Sequence, residues 1–381
     1  MVRAGFAAVC VCMVGCGRGN FQLLDASPLA DSADAPLIDP DAPPVPDVIC
    51  SVDRIPLTSL PPTADLAIAG TLEGYAAVWV DAAGALPAQG LLLEPNRRFK
   101  AQVALPAIHD SRIGGLSDVG QQIVLSTGNA TSQTTWFLGR DLAAATPQGT
   151  LTGAVMAHGP FPSEDMPLHG VFVFVSGTDM QVNAAFMAAD GTVNAGSRAS
   201  FTTQANVTDI ACADGPNHSH CTFVEALTTV NGASQCTATD VRLAPVVSIP
   251  GGPVLSPDCY DVRVSSGPDA ADSVITVWTT RDHRIESSVV GSGNLNTPRS
   301  IAPAGSAPKV QFDGTMFWIA FLDGQGALQL SSFDVTGHVV AYSLAGWAPI
   351  GPEAFELVRR GNQTAVVLLS ATGLEFLSIC T

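Results

Sequence analysis

The sequence predicts an all-β fold in which one four-stranded unit repeats around a ring, and three observations carry that expectation. Seven short apolar runs recur after residue 50: AAVWV (76–80), IVL (123–125), VFVFV (171–175), CTFV (221–224), VITVW (274–278), MFWIAF (316–321) and AVVLL (365–369). Their centres, Val78, Val124, Val173, Val224, Val277, Ile319 and Val367, are 46, 49, 51, 53, 42 and 48 residues apart. A period near fifty is what a four-stranded propeller blade occupies. Leu91, Phe137, Phe186, Val290 and Ser332 each lie thirteen residues after the centre of their own run, as in a hairpin repeated in one geometry. Composition is the third observation: 46% hydrophobic, 13% charged, with 36 Gly and 27 Pro. That excludes a disordered or coiled-coil chain and favours short strands joined by tight turns. Seven similar steps predict a seven-bladed β-propeller; two β-sandwich domains, the alternative, would not produce them.

The N-terminus reads as an address. Met1-Val2-Arg3 gives a minimal positive end, and Ala4 to Val14 is an uncharged run of eleven residues, the size of a signal-peptide core and too short to span a bilayer. It closes on Met13-Val14-Gly15-Cys16, which resembles the bacterial lipobox. That resemblance implies a signal peptide over residues 1–15, lipid modification of Cys16 and durable membrane attachment, since each buried methylene contributes about 0.8 kcal/mol and several chains act together. Position 17 is Gly where inner-membrane lipoproteins tend to carry Asp, which by the same resemblance implies the outer membrane, facing periplasm or cell surface. Read instead as an ordinary secretory peptide, Cys16 is lost with Cys10 and Cys12.

Residues 16–49 follow as a tether. From Asp25 to Ile49 there are six Asp, six Pro and no base. Proline denies this stretch a helix or central strand, and the like charges keep it extended and solvated, reaching roughly 80 Å at polyproline rise. The remaining domain, 50–381, holds the runs.

Six cysteines remain after Cys16: Cys50, Cys212, Cys221, Cys236, Cys259 and Cys380. An even count in an exported chain favours disulfides, with fifteen connectivities open, and no C-x-x-C spacing points to a thiol oxidoreductase or zinc ribbon. Position in the chain pairs Cys50 with Cys380, and proximity pairs Cys212 with Cys221 and Cys236 with Cys259. Turn chemistry is supplied by Asp190-Gly191, Asn231-Gly232, Asp313-Gly314 and Asp323-Gly324, pairs expected to provide the positive φ of tight hairpins.

The segments FDGTMFWIAFLDGQGALQLSSFDVTGHV (312–339) and GVFVFVSGTDMQVNAAFMAADGTV (170–193) resemble the blade pattern of uncharacterised propeller lipoproteins from bacteria: an Asp-Gly turn, an aromatic strand, a second strand and another Asp/Gly turn. The resemblance covers 50–381, with weaker matches near 119 and 215. It implies a ring closed by strand exchange, with Ser51 to Leu60 completing a last blade that otherwise stops after Leu374 to Ile379, and Cys50–Cys380 locking it.

Chemistry is sparse. No H-E-x-x-H, phosphate loop, G-x-S-x-G elbow or Rossmann fingerprint occurs. A formal charge of −17 repels phosphate backbones, so nucleic acid is excluded as a partner. Only Lys100 and Lys309 are lysines, and the sequence attaches no chemistry to that bias. The densest cluster, Asp214 to Cys221 (DGPNHSHC), offers His218 and His220 as metal candidates should Cys221 be reduced; as a disulfide it leaves two histidines in a solvent-facing loop. His109, His158, His169, His283 and His338 lack Ser/Asp companions at recognisable spacing. Glu164, Asp165, Asp282, Glu286, Glu353 and Glu356 stand in expected loops, where two carboxylates at about 5–10 Å would serve glycoside hydrolysis. Trp79, Trp136, Trp278 and Trp318 sit inside strands as blade packing, whereas Trp347 is the indole expected to be exposed and ligand-binding. The reading is a non-catalytic binding or scaffold module of the cell envelope, with a membrane contact through lipid, an envelope protein or glycan partner and no cofactor; the alternative is an envelope glycan hydrolase using funnel carboxylates.

Overall fold

A computed structural model describes residues 47–380, apart from 58–59, 119–121, 130–131, 144, 153, 156–168, 177–180, 189–198, 215–217, 227–233, 243–253, 268–273, 292–293, 296–297 and 335–337. Among the described residues every regular element is a strand. The first, β1 (Ile49–Pro56), pairs last. Next come β2 (Ala64–Thr71), β3 (Gly74–Asp81), β4 (Ala88–Leu93) and β5 (Phe99–Leu105), one antiparallel sheet in chain order. A second sheet is β6 (Arg112–Asp118), β7 (Ile123–Gly128), β8 (Ser132–Leu138) and β9 (Ala145–Thr152). A third is β10 (Ala154–Val155), β11 (His169–Ser176), β12 (Gln181–Ala188) and β13 (Ala199–Thr202). The fourth is β14 (Asn206–Asp214), β15 (His218–Ala226), β16 (Ser234–Arg242) and β17 (Val254–Ser256). In the fifth, β18 (Tyr260–Ser266), β19 (Val274–Thr279) and β20 (Ile285–Gly291) are followed by β21 (Asn294–Leu295) and β22 (Arg299–Ala302), both paired to β20. The sixth is β23 (Ser306–Phe312), β24 (Phe317–Leu322), β25 (Leu328–Phe333) and β26 (Val339–Ser343). The seventh joins β27 (Phe355–Arg360), β28 (Gln363–Ser370) and β29 (Gly373–Ile379) to β1, in the order β1-β29-β28-β27.

Each apolar run becomes the second strand of its sheet: β3, β7, β11, β15, β19, β24 and β28. These strands are flanked by sheet on both edges, and β3, β7, β19, β24 and β28 are buried on both faces, which is why their runs read as hydrophobic with no alternation. The thirteen-residue offset lands in the third strand in each of the five cases. Val124 sits directly opposite Phe137, and Trp318 opposite Ser332.

First strands touch first strands around the molecule: β2 packs on β6 and β27, β14 on β10 and β18, and β23 on β18 and β27, while β10 also meets β8. The contact between β27 and β2 returns the chain to its start, so the sheets form a ring with their first strands innermost, a β-propeller. Core residues lie between neighbouring sheets. Val78, Val80, Leu92, Ile113, Leu125 and Trp136 fill one such layer. Ile275, Ile285, Phe317, Ile319 and Phe333 fill another, and each fully buried side chain of this size contributes about 1.5–3 kcal/mol.

Among the described residues the disulfides are Cys50–Cys380, Cys212–Cys221 and Cys236–Cys259. The first ties β1 to the end of β29, the second staples two residues opposite one another on β14 and β15, and the third links β16 to the segment entering β18.

Two local expectations are corrected. Trp347 is 3% exposed: Gly346 at φ +101° turns the chain back, the Trp347 N–H donates to the Leu344 carbonyl at 3.1 Å, and the indole packs with Leu344, Phe355, Leu377 and Ile379 between the last two sheets. Gly314 takes the expected positive φ (+110°), but after Asp323 the left-handed residue is Gly326 (+78°), not Gly324. Asp323 Oδ1 accepts the N–H groups of Gln325 and Ala327, spreading that turn over four residues. Asp190-Gly191 and Asn231-Gly232 lie outside the described residues.

Candidate functional site

The first strands bring charged side chains from five sheets together near their N-terminal ends. Asp65 is the second residue of β2, Asp209 lies in β14, Asp261 and Arg263 in β18, Lys309 in β23, Glu356 in β27 and Glu353 just before it. In three of these strands a β-bulge interrupts the ladder at this level, between Val207 and Asp209, Tyr260 and Arg263, and Ser306 and Lys309. A bulge adds a residue to one strand and re-aims the side chain that follows. Two bulge residues, Asp261 (φ +47°) and Ala307 (φ +50°), occupy the left-handed region, which costs a non-glycine residue about 1–3 kcal/mol and recurs at functional sites.

Arg263 is the hub. Its Nη1 lies 3.0 Å from Asp261 Oδ1, 3.3 Å from Asp209 Oδ2 and 2.7 Å from the Val262 carbonyl, and its Nη2 lies 3.4 Å from Glu353 Oε2. Its Nε is buried, with no hydrogen-bond partner among the described residues. Lys309 Nζ donates to Glu353 Oε2 at 2.6 Å and stands 3.7 Å from Glu356 Oε2. The carboxylates also join blades through the backbone. Asp65 Oδ2 accepts the Ile113 N–H of the next first strand at 2.8 Å, and Asp209 Oδ2 accepts the Val262 N–H at 2.8 Å. Lys309 is 3% exposed, whereas Glu353, Asp261, Glu356 and Asp209 are 32, 28, 27 and 23% exposed, so solvent reaches the acidic side of the cluster.

Five carboxylates against two bases, in a partly dry setting, shift the titrations. Burial pushes Asp65 up to about 7, with the Glu353 charge adding to it, although Lys309, the Ile113 N–H and Arg263 pull the other way. Burial likewise raises Asp261 to about 6 against the attraction of Arg263, with Glu353 and Asp209 reinforcing the rise. Asp209 is raised for the same first reason. Burial works to discharge Arg263 and Lys309, but the surrounding carboxylates outweigh it and both are held firmly cationic.

Of the carboxylates singled out in the sequence, Glu353 and Glu356 are brought together on Lys309. Asp282, in the exposed β19–β20 turn, and Glu286, which lies in strand β20 and not in a loop, share Arg284, at 2.8 and 3.0 Å. Glu164 and Asp165 lie outside the described residues. His218 and His220 belong to strand β15 and not to a loop; His220 is buried, and Cys221 beside it is bonded to Cys212, so no thiolate is present to complete a metal set. Among the described residues no three His, Cys, Asp or Glu side chains are placed to hold a metal ion. Cys16 lies outside the described residues. Asp65, Asp209, Asp261, Arg263 and Lys309 were not singled out. A signal for them exists: each stands 10–16 residues before the centre of its run, as Glu353 and Glu356 do.

No family model and no curated protein matches the chain. Solved structures do match in fold. The WD40 domain of a coronin from Toxoplasma gondii covers 90% of this chain and 89% of its own at 14% identity, with a TM-score of 0.52. The BP39L lectin from Burkholderia pseudomallei covers 83% of this chain and 95% of its own at 17% identity, with a TM-score of 0.56. A six-bladed fungal lectin from Aleuria aurantia covers 75% of this chain and 98% of its own at 14% identity, and superposes less closely, at 0.45.

Proposed function

We propose that the chain is a non-catalytic binding module of the bacterial cell envelope: a ring of seven blades, anchored to the outer membrane by lipid on Cys16 and held off it by the acidic tether of residues 16–49. Its partner is a hydroxyl-rich ligand, an envelope glycan, taken at the inner-strand cluster. One observation carries this reading. Around Arg263 and Lys309 stand four carboxylates that solvent reaches, Asp209, Asp261, Glu353 and Glu356, so the cluster offers several acceptors to a ligand that presents hydroxyl donors. The fold shared with a protein named as a lectin supports the reading by analogy only. The test is calorimetric titration of the full chain with a panel of envelope glycans: binding is expected, weakened at least tenfold by Arg263→Lys, and no binding to any glycan overturns the ligand class. Membrane fractionation of Cys16→Ser tests the anchor, with release from the membrane expected and unchanged retention contradicting it.

A second reading, an envelope glycan hydrolase, is favoured by Asp261. Its carboxyl is held near 6 beside the Glu353 charge, the pairing of a protonated acid and an ionised carboxylate that glycoside hydrolysis requires. Glycan turnover abolished by Asp261→Asn would move the assignment there.

A further inference from the structure

We infer that the Cys50–Cys380 disulfide carries tension from the N-terminal segment past β1 and into the interior of the closing sheet, so that pulling on the anchor does not open the ring. β1 is the outer strand of the closing sheet, paired on one edge only, to β29, from Ile49 opposite Ile379 to Pro56 opposite Gly373. A chain pulled from before Ile49 would load that ladder at one end and break its pairs one after another, and the loss of β1 would undo the closure between the two ends of the domain. The disulfide sits one residue inside the vulnerable end. Cys50 bonds Cys380, and the Cys380 N–H donates to the Val48 carbonyl at 2.8 Å, so load arriving at residues 48–50 passes directly to β29. That strand is held on both edges, by β1 and by β28.

A second set of contacts pins the same strand to the neighbouring sheet. Arg97, in the β4–β5 turn at φ +65° and 8% exposed, donates to Asp53 Oδ2 at 2.9 Å and to the Ser378 hydroxyl, and its guanidinium lies 5.5 Å from the centre of the Phe376 ring. Arg54 pairs with Glu375 at 3.4 Å on the same two strands. The other two disulfides involve none of the strands of the closing sheet and are buried, with Cys212, Cys221, Cys236 and Cys259 at most 3% exposed, whereas Cys50 is exposed. A thiol reductant therefore reaches the closing bond first.

The inference uses the anchoring reading only for the origin of the tension, and it is tested without lipid. The full-length chain is held by one handle on its N-terminal segment and another at Gln325, in the exposed β24–β25 turn, and stretched in optical tweezers. With the bond intact, the first event is expected to be unfolding of the sheets themselves. In Cys50→Ser/Cys380→Ser, an earlier event at lower force is expected, releasing the 49–63 segment, on the order of 50 Å of chain. Should that variant fail to fold, the folded wild type is reduced in place and pulled again, with the same early event expected. An early release with the bond intact, or none after its loss, overturns the inference; membrane retention of Cys16→Ser, a separate failure, bears on the anchor alone.

Discussion

Lys309 is the residue on which the inner cluster depends most visibly, because it is buried and holds both Glu353, which it shares with Arg263, and Glu356. Removing this buried cation leaves two partly solvated carboxylates without it, at less than the roughly 3–5 kcal/mol of a fully buried pair, about 1–3 kcal/mol. Lys309→Met is therefore expected to destabilise by roughly that amount in denaturant titration, and Lys309→Met with Glu353→Gln to recover part of it. Asp313 is a second single-residue test. Its Oδ1 accepts the Thr315 and Met316 N–H groups and its Oδ2 the Trp318 indole N–H, so Asp313→Ala is expected to cost about 1–3 kcal/mol and to shift Trp318 fluorescence. Asp313 was legible as a turn residue in Asp-Gly, but its bond to Trp318 was not, since strand pairing alone brings them together. Lys309 was passed over for a different reason. A lone lysine in SAPKVQF looks like a solvated charge, and only the bulge before it turns the ammonium inward.

At the scale of elements, the cluster makes a signed statement about pH. Asp65 and Asp261 have folded-state values raised from 3.8 to about 7 and about 6, so their contribution to stability is fully present below the unfolded value and is lost as pH rises through the folded ones. Between pH 8 and pH 5 the melting temperature is expected to rise on acidification. Asp65→Asn/Asp261→Asn is expected to flatten that slope, as followed by thermal melts at constant ionic strength. Melting temperatures that fall steadily over the same range would show that the bases, not burial, govern these carboxyls. The second strands were the most legible elements because burial on both faces writes an uninterrupted apolar signature into VITVW or AVVLL. First strands were the least legible: RIGGLSD and SAPKVQF are short, mixed and bulged, so neither alternation nor a constant offset survives in them. Trp347 illustrates the opposite error. Its Ala-Gly and Ala-Pro flanks read as a loop, and a loop it is, but the turn at Gly346 folds the indole into the layer between two sheets.

Over the whole molecule, closure joins residues more than three hundred apart, through the pairing of β1 with β29. In the chain-entropy account a bond closing a loop of 330 residues stabilises by roughly 5 kcal/mol. Cys50→Ser/Cys380→Ser is accordingly expected to lower the unfolding midpoint without altering far-ultraviolet dichroism at low temperature, and an unchanged midpoint would show that the strand ladder alone closes the ring. The ring places charges from five sheets at one level, and that convergence of Asp65, Asp209, Asp261, Arg263, Lys309, Glu353 and Glu356 is what the binding reading rests on. Its most direct test is to cross-link the full-length protein in its own cell envelope, purify it and identify by mass spectrometry what accompanies it. A glycan recovered in near-equal amount, and lost in Arg263→Lys, is the expected result. Recovery of the chain alone, with cleaved glycan released into the supernatant, would contradict a binding module and make the cluster a catalytic one.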